Sequence, residues 1–164
     1  MQSAANQLLP LWAQVVLLVV PAVTALAAAL GLLLNAVQSR RTNAQSRALL
    51  VAESLRGFAA DADIQAAFYA VSYSDFRYDN AFHKSNQERQ VDKLLRHFAN
   101  LALAWQAGLL TTDDVRPIQY YMLRVMRDVE VQKYLAFVVQ WSAKANLGEH
   151  PYSVLAQLCN AFEQ

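Results

Sequence analysis

The sequence predicts an all-α protein with one N-terminal transmembrane helix followed by a cytosolic bundle of about five helices. Three observations predict this class. The first ionisable side chain in the chain of 164 residues is Arg40, and the segment before it is strongly apolar. Beyond residue 60, apolar residues recur every three or four positions between helix-capping residues. No stretch alternates apolar and polar residues for long enough to predict a strand.

The transmembrane helix is predicted over residues 11–38. Its apolar core, residues 11–34, forms a helix of about 36 Å, which exceeds the hydrocarbon thickness of about 30 Å. Its leucines and valines favour insertion by about 4 to 8 kcal/mol before the penalties for Gln14, Pro21 and Thr24. A cleaved signal peptide is the alternative, but the run is long and no basic residue precedes it.

The flanking charges predict the orientation of this span. No Lys or Arg precedes it, whereas Arg40, Arg41 and Arg47 follow it. Because positive flanks stay in the cytoplasm, residues 1–10 form a short extracytoplasmic N-terminus and the rest of the chain is cytoplasmic. The three arginines are expected to contact lipid headgroups, each contributing about 1 kcal/mol near an anionic leaflet. The lone Cys159 agrees with a reducing compartment.

Two further features concern the span and its continuation. Ala27, Gly31 and Asn35 recur every four residues, which predicts a stripe for contact between spans, although alanine-rich helices contain such stripes by chance. Nothing breaks the helix after the span, so residues 39–60 are predicted to continue it as a juxtamembrane helix. Residues 61–164 then form the cytosolic helical domain.

The first two helices of this domain are predicted from their caps. Asp61 is expected to cap a short helix. A second, longer helix begins with a capping box formed by Ser85 and Glu88 and ends at Gly108. Its charged pair Asp92 and Arg96 is spaced as solvated surface neighbours.

Three more helices complete the predicted bundle. One begins at Thr111 or Thr112 and accommodates Pro117 early in its course. The next is capped by Asp128 and runs from residue 129 to about residue 145, ahead of the stop signal Gly148. Its dense apolar residues predict a central helix that is buried on more than one side. The last helix is opened by Pro151 and Ser153. Arg124 and Asp128 are predicted to form a surface pair.

An aromatic turn over residues 72–80 is the candidate interaction patch. Its predicted binding residues are Tyr73, Phe76, Arg77 and Tyr78, because amphipathic tyrosines favour recognition surfaces. The alternative is that these rings are buried and hold the turn in place.

No pattern predicts a catalytic residue, a cofactor or a metal. The four glycines are too far apart for a phosphate-binding loop, and the three histidines lack the spacing of metal ligands. Cys159 lies among apolar neighbours, as a packed thiol does. The net charge of +1 shows no basic excess, so nucleic acid is not an expected partner.

Residues 73–135 resemble the DUF4760 family of small bacterial proteins. The similar features are an aromatic turn before a helix of mixed charge and a G-L-L followed by a D-D-V helix start, here Gly108–Leu110 and Asp113–Val115. The resemblance implies a bacterial source and a hydrophobic N-terminal helix before the domain. It supplies no catalytic residues.

The predicted function is that of a single-pass, membrane-anchored interaction module in the bacterial inner membrane, and not of an enzyme. Its partners are the lipid bilayer and a protein, which is a second copy or another chain. The module then acts as an adaptor, accessory subunit or regulator. The first alternative is an oligomerising membrane effector that disturbs the bilayer, and the second is an enzyme of unrecognised type.

Overall fold

The structure is a computed structural model that describes Asn35, residues 38–39 and residues 41–163. The chain divides into two compact units, Met1–Gln45 and Ser46–Gln164. The predicted span lies almost wholly outside the described residues. Within the part that the structure describes, no helix is both long and apolar enough to cross a membrane.

In the first unit every described residue is helical. The Thr42 hydroxyl donates a hydrogen bond of 3.0 Å to the Gln38 carbonyl one turn earlier. The predicted single rod from the span through residue 60 stays a prediction.

The second unit is all-α over its described residues, which confirms the predicted fold class. It consists of α-helices and one short 3-10 helix. The elements are α1 (residues 46–60), α2 (Ala62–Ser72), α3 (Asn86–Gln106), α4 (Thr112–Val115), the 3-10 helix (Arg116–Ile118), α5 (Gln119–Met126), α6 (Val129–Lys144) and α7 (Ser153–Ala161).

Helix α3 organises the core because both α2 and α7 pack along it, while α5 packs against α2 and α7. Its apolar stripe is fully enclosed, as the predicted spacing requires. Helix α1 joins this core through Val51 and Phe58, each only 5% exposed. The Phe58 ring lies 5.8 Å from that of Phe98 and 5.4 Å from that of Phe68. Helix α1 is therefore part of the compact unit Ser46–Gln164.

Most helix starts follow the predicted caps. The Asp61 carboxylate accepts hydrogen bonds from the backbone N–H groups of Asp63 and Ile64. Asp128 does the same for α6. These bonds satisfy donors that have no partner within the helix.

The predicted capping box of α3 is only half formed. Ser85 accepts from the Glu88 N–H at 3.0 Å, but the Glu88 carboxylate accepts from the Lys84 N–H at 2.5 Å instead of from Ser85. The complete box is at Thr111 and Asp114, where each side chain accepts from the other residue's backbone N–H.

The predicted single helix after Thr111 is divided into α4, the 3-10 helix and α5. Pro117 has no N–H to donate to a preceding carbonyl, and the chain tightens into the 3-10 helix there. Six α-helices therefore follow residue 60 in the described chain, where about five were predicted.

The prediction that α6 is buried on more than one side is wrong. Val131, Tyr134 and Leu135 are buried, but Val139 is 45% exposed and Trp141 is 54% exposed. One side of α6 packs on the bundle, and apolar density alone does not supply a second packing partner. The helix ends at Lys144, which agrees with the predicted end at about residue 145.

Candidate functional site

The aromatic turn does not form a single surface patch. Phe76 is only 1% exposed, and its ring lies 5.4 Å from that of Phe82 in the core. It is therefore inaccessible to a partner, which removes it from the predicted interaction patch. Arg77 is exposed and donates to the Phe76 carbonyl at 3.3 Å.

Tyr78 is half-buried and pinned on two sides. Its backbone N–H donates to the Glu130 carboxylate at 3.0 Å, and its hydroxyl lies 3.1 Å from His83 Nε2. The His83 Nδ1 lies in turn 3.1 Å from Glu88 Oε1. Burial raises the pKa of Tyr78, and the nearby Glu88 charge adds to this effect. The alternative prediction is that buried rings hold the turn in place. The packing of Phe76 and Tyr78 agrees with this alternative.

Tyr73, by contrast, is largely exposed to solvent. It is 72% exposed at the end of α2 and stacks on Tyr69, with ring centroids 6.0 Å apart and an interplanar angle of 13°. Tyr69 is 50% exposed. The last turn of α2 therefore presents two parallel tyrosine rings to solvent.

Arg124 of α5 lies against this turn. Its guanidinium donates to the Ser72 carbonyl at 2.5 Å, and the side chain is half-buried. Among the described residues no carboxylate lies within 4.0 Å of it. The predicted pair with Asp128 is absent because Asp128 caps α6 instead. Within the described part of the chain, Arg124 thus forms no ion pair.

The outward side of α5 continues this surface. Tyr120, Leu123, Arg124 and Arg127 are spaced i, i+3, i+4 and i+7, and they share the side opposite the buried Met122. They line a groove of about 300 Å³. Tyr120 is 69% exposed, and Arg127 forms an ion pair with Glu163. We call the whole region the tyrosine–arginine surface; it consists of Tyr69, Tyr73, Tyr120, Leu123, Arg124 and Arg127.

Sequence reasoning identified only Tyr73 of this surface. The spacing within α5 was available as a signal, because a residue every three or four positions marks one helix side. That this side faces solvent, and that it adjoins the end of α2, depends on how the two helices pack.

A second polar cluster joins three helices. The Asp92 Oδ1 atom accepts hydrogen bonds from the hydroxyls of Tyr134 at 2.6 Å and Tyr152 at 2.9 Å. Both rings are only 4% exposed. Burial and the Asp92 charge raise the pKa of each tyrosine far above its ordinary value. The hydroxyls are therefore permanent donors near neutral pH, and this cluster fixes the packing of α6 and α7 on α3.

A third feature is a groove of about 230 Å³ between α1 and α3, lined in part by Ser54 and His97. The Ser54 hydroxyl lies 3.1 Å from His97 Nε2. Burial lowers the pKa of His97, so the ring is neutral near pH 7. A nucleophilic serine also needs a group that orients its histidine. No side chain in the described residues makes a second hydrogen bond to this ring.

The residues predicted to lie at the membrane are placed as follows. Asn35 and Arg41 are helical and exposed, whereas Ala27, Gly31 and Arg40 lie outside the described residues. Arg47 belongs to the second unit, where its Nε lies 3.3 Å from Asp114 Oδ2. A headgroup contact by Arg47 therefore competes with this ion pair.

Comparisons of the chain with protein-family models, with curated proteins and with solved structures each gave no match. The resemblance to the DUF4760 family stays a prediction.

Proposed function

We propose that this chain is a single-pass, membrane-anchored helical module that binds a protein partner, as an adaptor, accessory subunit or regulator. The charge-free residues 11–34 support the anchor. The arginines that follow support a cytoplasmic location for the second unit. The resemblance to the DUF4760 family implies that the membrane is the inner membrane of a bacterium.

The observation that carries the binding proposal is the tyrosine–arginine surface. Tyrosine and arginine are enriched among the residues that contribute most to protein–protein affinity. A tyrosine ring offers a large apolar contact area with few rotatable bonds, and its hydroxyl tolerates solvent when no partner is bound. Tyr120 and two arginines line one groove, and the hydrogen bond from Arg124 to the Ser72 carbonyl joins this groove to the end of α2, where Tyr69 and Tyr73 are exposed.

The other polar features favour binding over catalysis as the role of this surface. The tyrosines of the Asp92 cluster are held as donors, and the Ser54–His97 pair lies on α1 and α3 rather than on α2 and α5. The six residues of the tyrosine–arginine surface supply donors and rings, and the Glu163 carboxylate beside them is held in an ion pair with Arg127.

Site-specific photo-crosslinking tests the binding proposal. A photoreactive phenylalanine analogue is placed at Tyr120 in the full chain, expressed in native membranes and irradiated. We expect a discrete adduct, because the side chain at this position touches the bound partner. The matched control places the same analogue at Leu103, which is 49% exposed on α3. Equal adducts from both positions, or none from position 120, contradict the proposal.

The anchor is tested separately by alkaline carbonate extraction of membranes. The full-length chain should stay in the membrane pellet, and protease added to intact spheroplasts should leave the second unit undigested. Release by carbonate would show that the apolar segment does not span the bilayer, and digestion would show the opposite orientation.

A further inference from the structure

We propose that the tyrosine–arginine surface recognises an acidic protein segment that carries an apolar side chain next to its carboxylates. The carboxylates pair with Arg124 and Arg127, and the apolar side chain contacts Leu123 in the groove. This inference rests on the proposed function and specifies its partner.

The state of Arg124 supplies the first argument. Its only hydrogen bond among the described residues is to a neutral carbonyl, that of Ser72, and the side chain is half-buried. A guanidinium presents several donors in a planar fork, and a carboxylate fits two of them at once. The hydrogen bond to Ser72 already restricts the Arg124 side chain. Less conformational entropy of this side chain is therefore lost when a carboxylate binds its remaining N–H groups.

Arg127 supplies the second argument, because it already pairs with a carboxylate. Its partner is Glu163, close to the end of the chain, and both side chains are more than half exposed. Exposed ion pairs of this kind contribute little stability and exchange readily. The geometry at Arg127 is therefore one that accepts a carboxylate, and an incoming acidic segment can take the place of Glu163.

The shape of the groove favours a peptide over a lipid surface. A volume of about 300 Å³ is at the small end of ligand pockets and accommodates one or two side chains. A helix that lies in the bilayer interface buries a broad apolar face, whereas the residues that line this groove on α5 include a single aliphatic side chain, Leu123. Here the exposed rings are tyrosines beside a concavity, which is the composition of a protein interface.

The test is selection of random dodecapeptides displayed on phage against the full chain in detergent micelles. We expect the selected peptides to contain an excess of Asp and Glu around an apolar residue. Their affinity should fall about tenfold or more for Arg124→Gln/Arg127→Gln, since two charge-assisted hydrogen bonds are lost. The matched control is Arg56→Gln/Arg89→Gln, which removes two exposed arginines elsewhere and should bind as the wild type does.

The loss of the Arg124 side chain could unfold the protein and so abolish binding indirectly. The single variants Arg127→Gln and Tyr120→Ala separate binding from folding. Both residues are exposed, so the melting temperature should stay unchanged while peptide affinity falls. Selected peptides without an acidic excess, or equal affinity for the double variant and its control, overturn the inference. A third outcome also overturns the inference: no peptide is selected, and the chain binds phosphatidylserine nanodiscs in a way that depends on Arg124 and Arg127. This outcome would identify a lipid surface as the ligand. The crosslink from position 120 survives these outcomes, so the failure of this inference is distinguishable from failure of the proposed function.

Discussion

Replacement of Asp92 by alanine should destabilise the second unit more than the removal of an ordinary surface carboxylate. The Asp92 Oδ1 atom accepts the hydroxyls of Tyr134 and Tyr152, which are 42 and 60 residues away in the sequence. Hydrogen bonds to a charged group contribute about 1.5 to 3 kcal/mol each, and an unpaired buried hydroxyl costs about 1 to 3 kcal/mol. Because the Asp92 side chain is 26% exposed, water can reach part of the cluster. We therefore expect a loss of about 3 to 5 kcal/mol.

Urea unfolding of the full chain in detergent, followed by circular dichroism, measures this loss. Asp92→Asn keeps an acceptor oxygen and should lose about 1 to 2 kcal/mol. Tyr134→Phe should be destabilising in the wild type but nearly neutral beside Asp92→Ala, because its hydroxyl then has no partner to lose. The control is Asp113→Ala, whose carboxylate is 82% exposed. A loss below about 1 kcal/mol for Asp92→Ala, or simple additivity with Tyr134→Phe, would refute the reasoning.

Three further predictions follow from burial. Phe76→Ala should lower the free energy of unfolding by about 3 to 5 kcal/mol, whereas Tyr73→Ala should change it by less than about 0.5 kcal/mol, as chemical denaturation would show. Leu135→Ala should lose about 2 to 5 kcal/mol, and Trp141→Ala should lose far less; similar losses would mean that α6 is enclosed. Burial lowers the pKa of His97 below its ordinary 6.5, so the unfolded chain binds the proton more readily. Stability should therefore be constant above about pH 6.5 and fall as the pH drops towards the folded pKa, and His97→Gln should flatten this slope in unfolding curves.

The sequence by itself determined the helices and most of their starts. Asp61 and Asp128 cap α2 and α6 because a cap depends on backbone N–H groups two or three residues away. The apolar stripe of α3 is buried as its spacing predicts, because a helix side that is continuously apolar has to be covered. The sequence also predicts the position of the aromatic turn. Of the three rings predicted to form an interaction patch there, only that of Tyr73 is largely exposed.

Only the tertiary structure decided how many sides of a helix are covered and which distant residues meet. The apolar density of α6 predicts burial on several sides, but Val139 and Trp141 are exposed. Periodicity shows which residues can be buried and not how many helices are available to cover them. The meeting of Asp92 with two distant tyrosines, and of Arg124 with the end of α2, has the same origin. These contacts join residues that are far apart in the chain, so they depend on the packing of whole helices, and no local spacing encodes them.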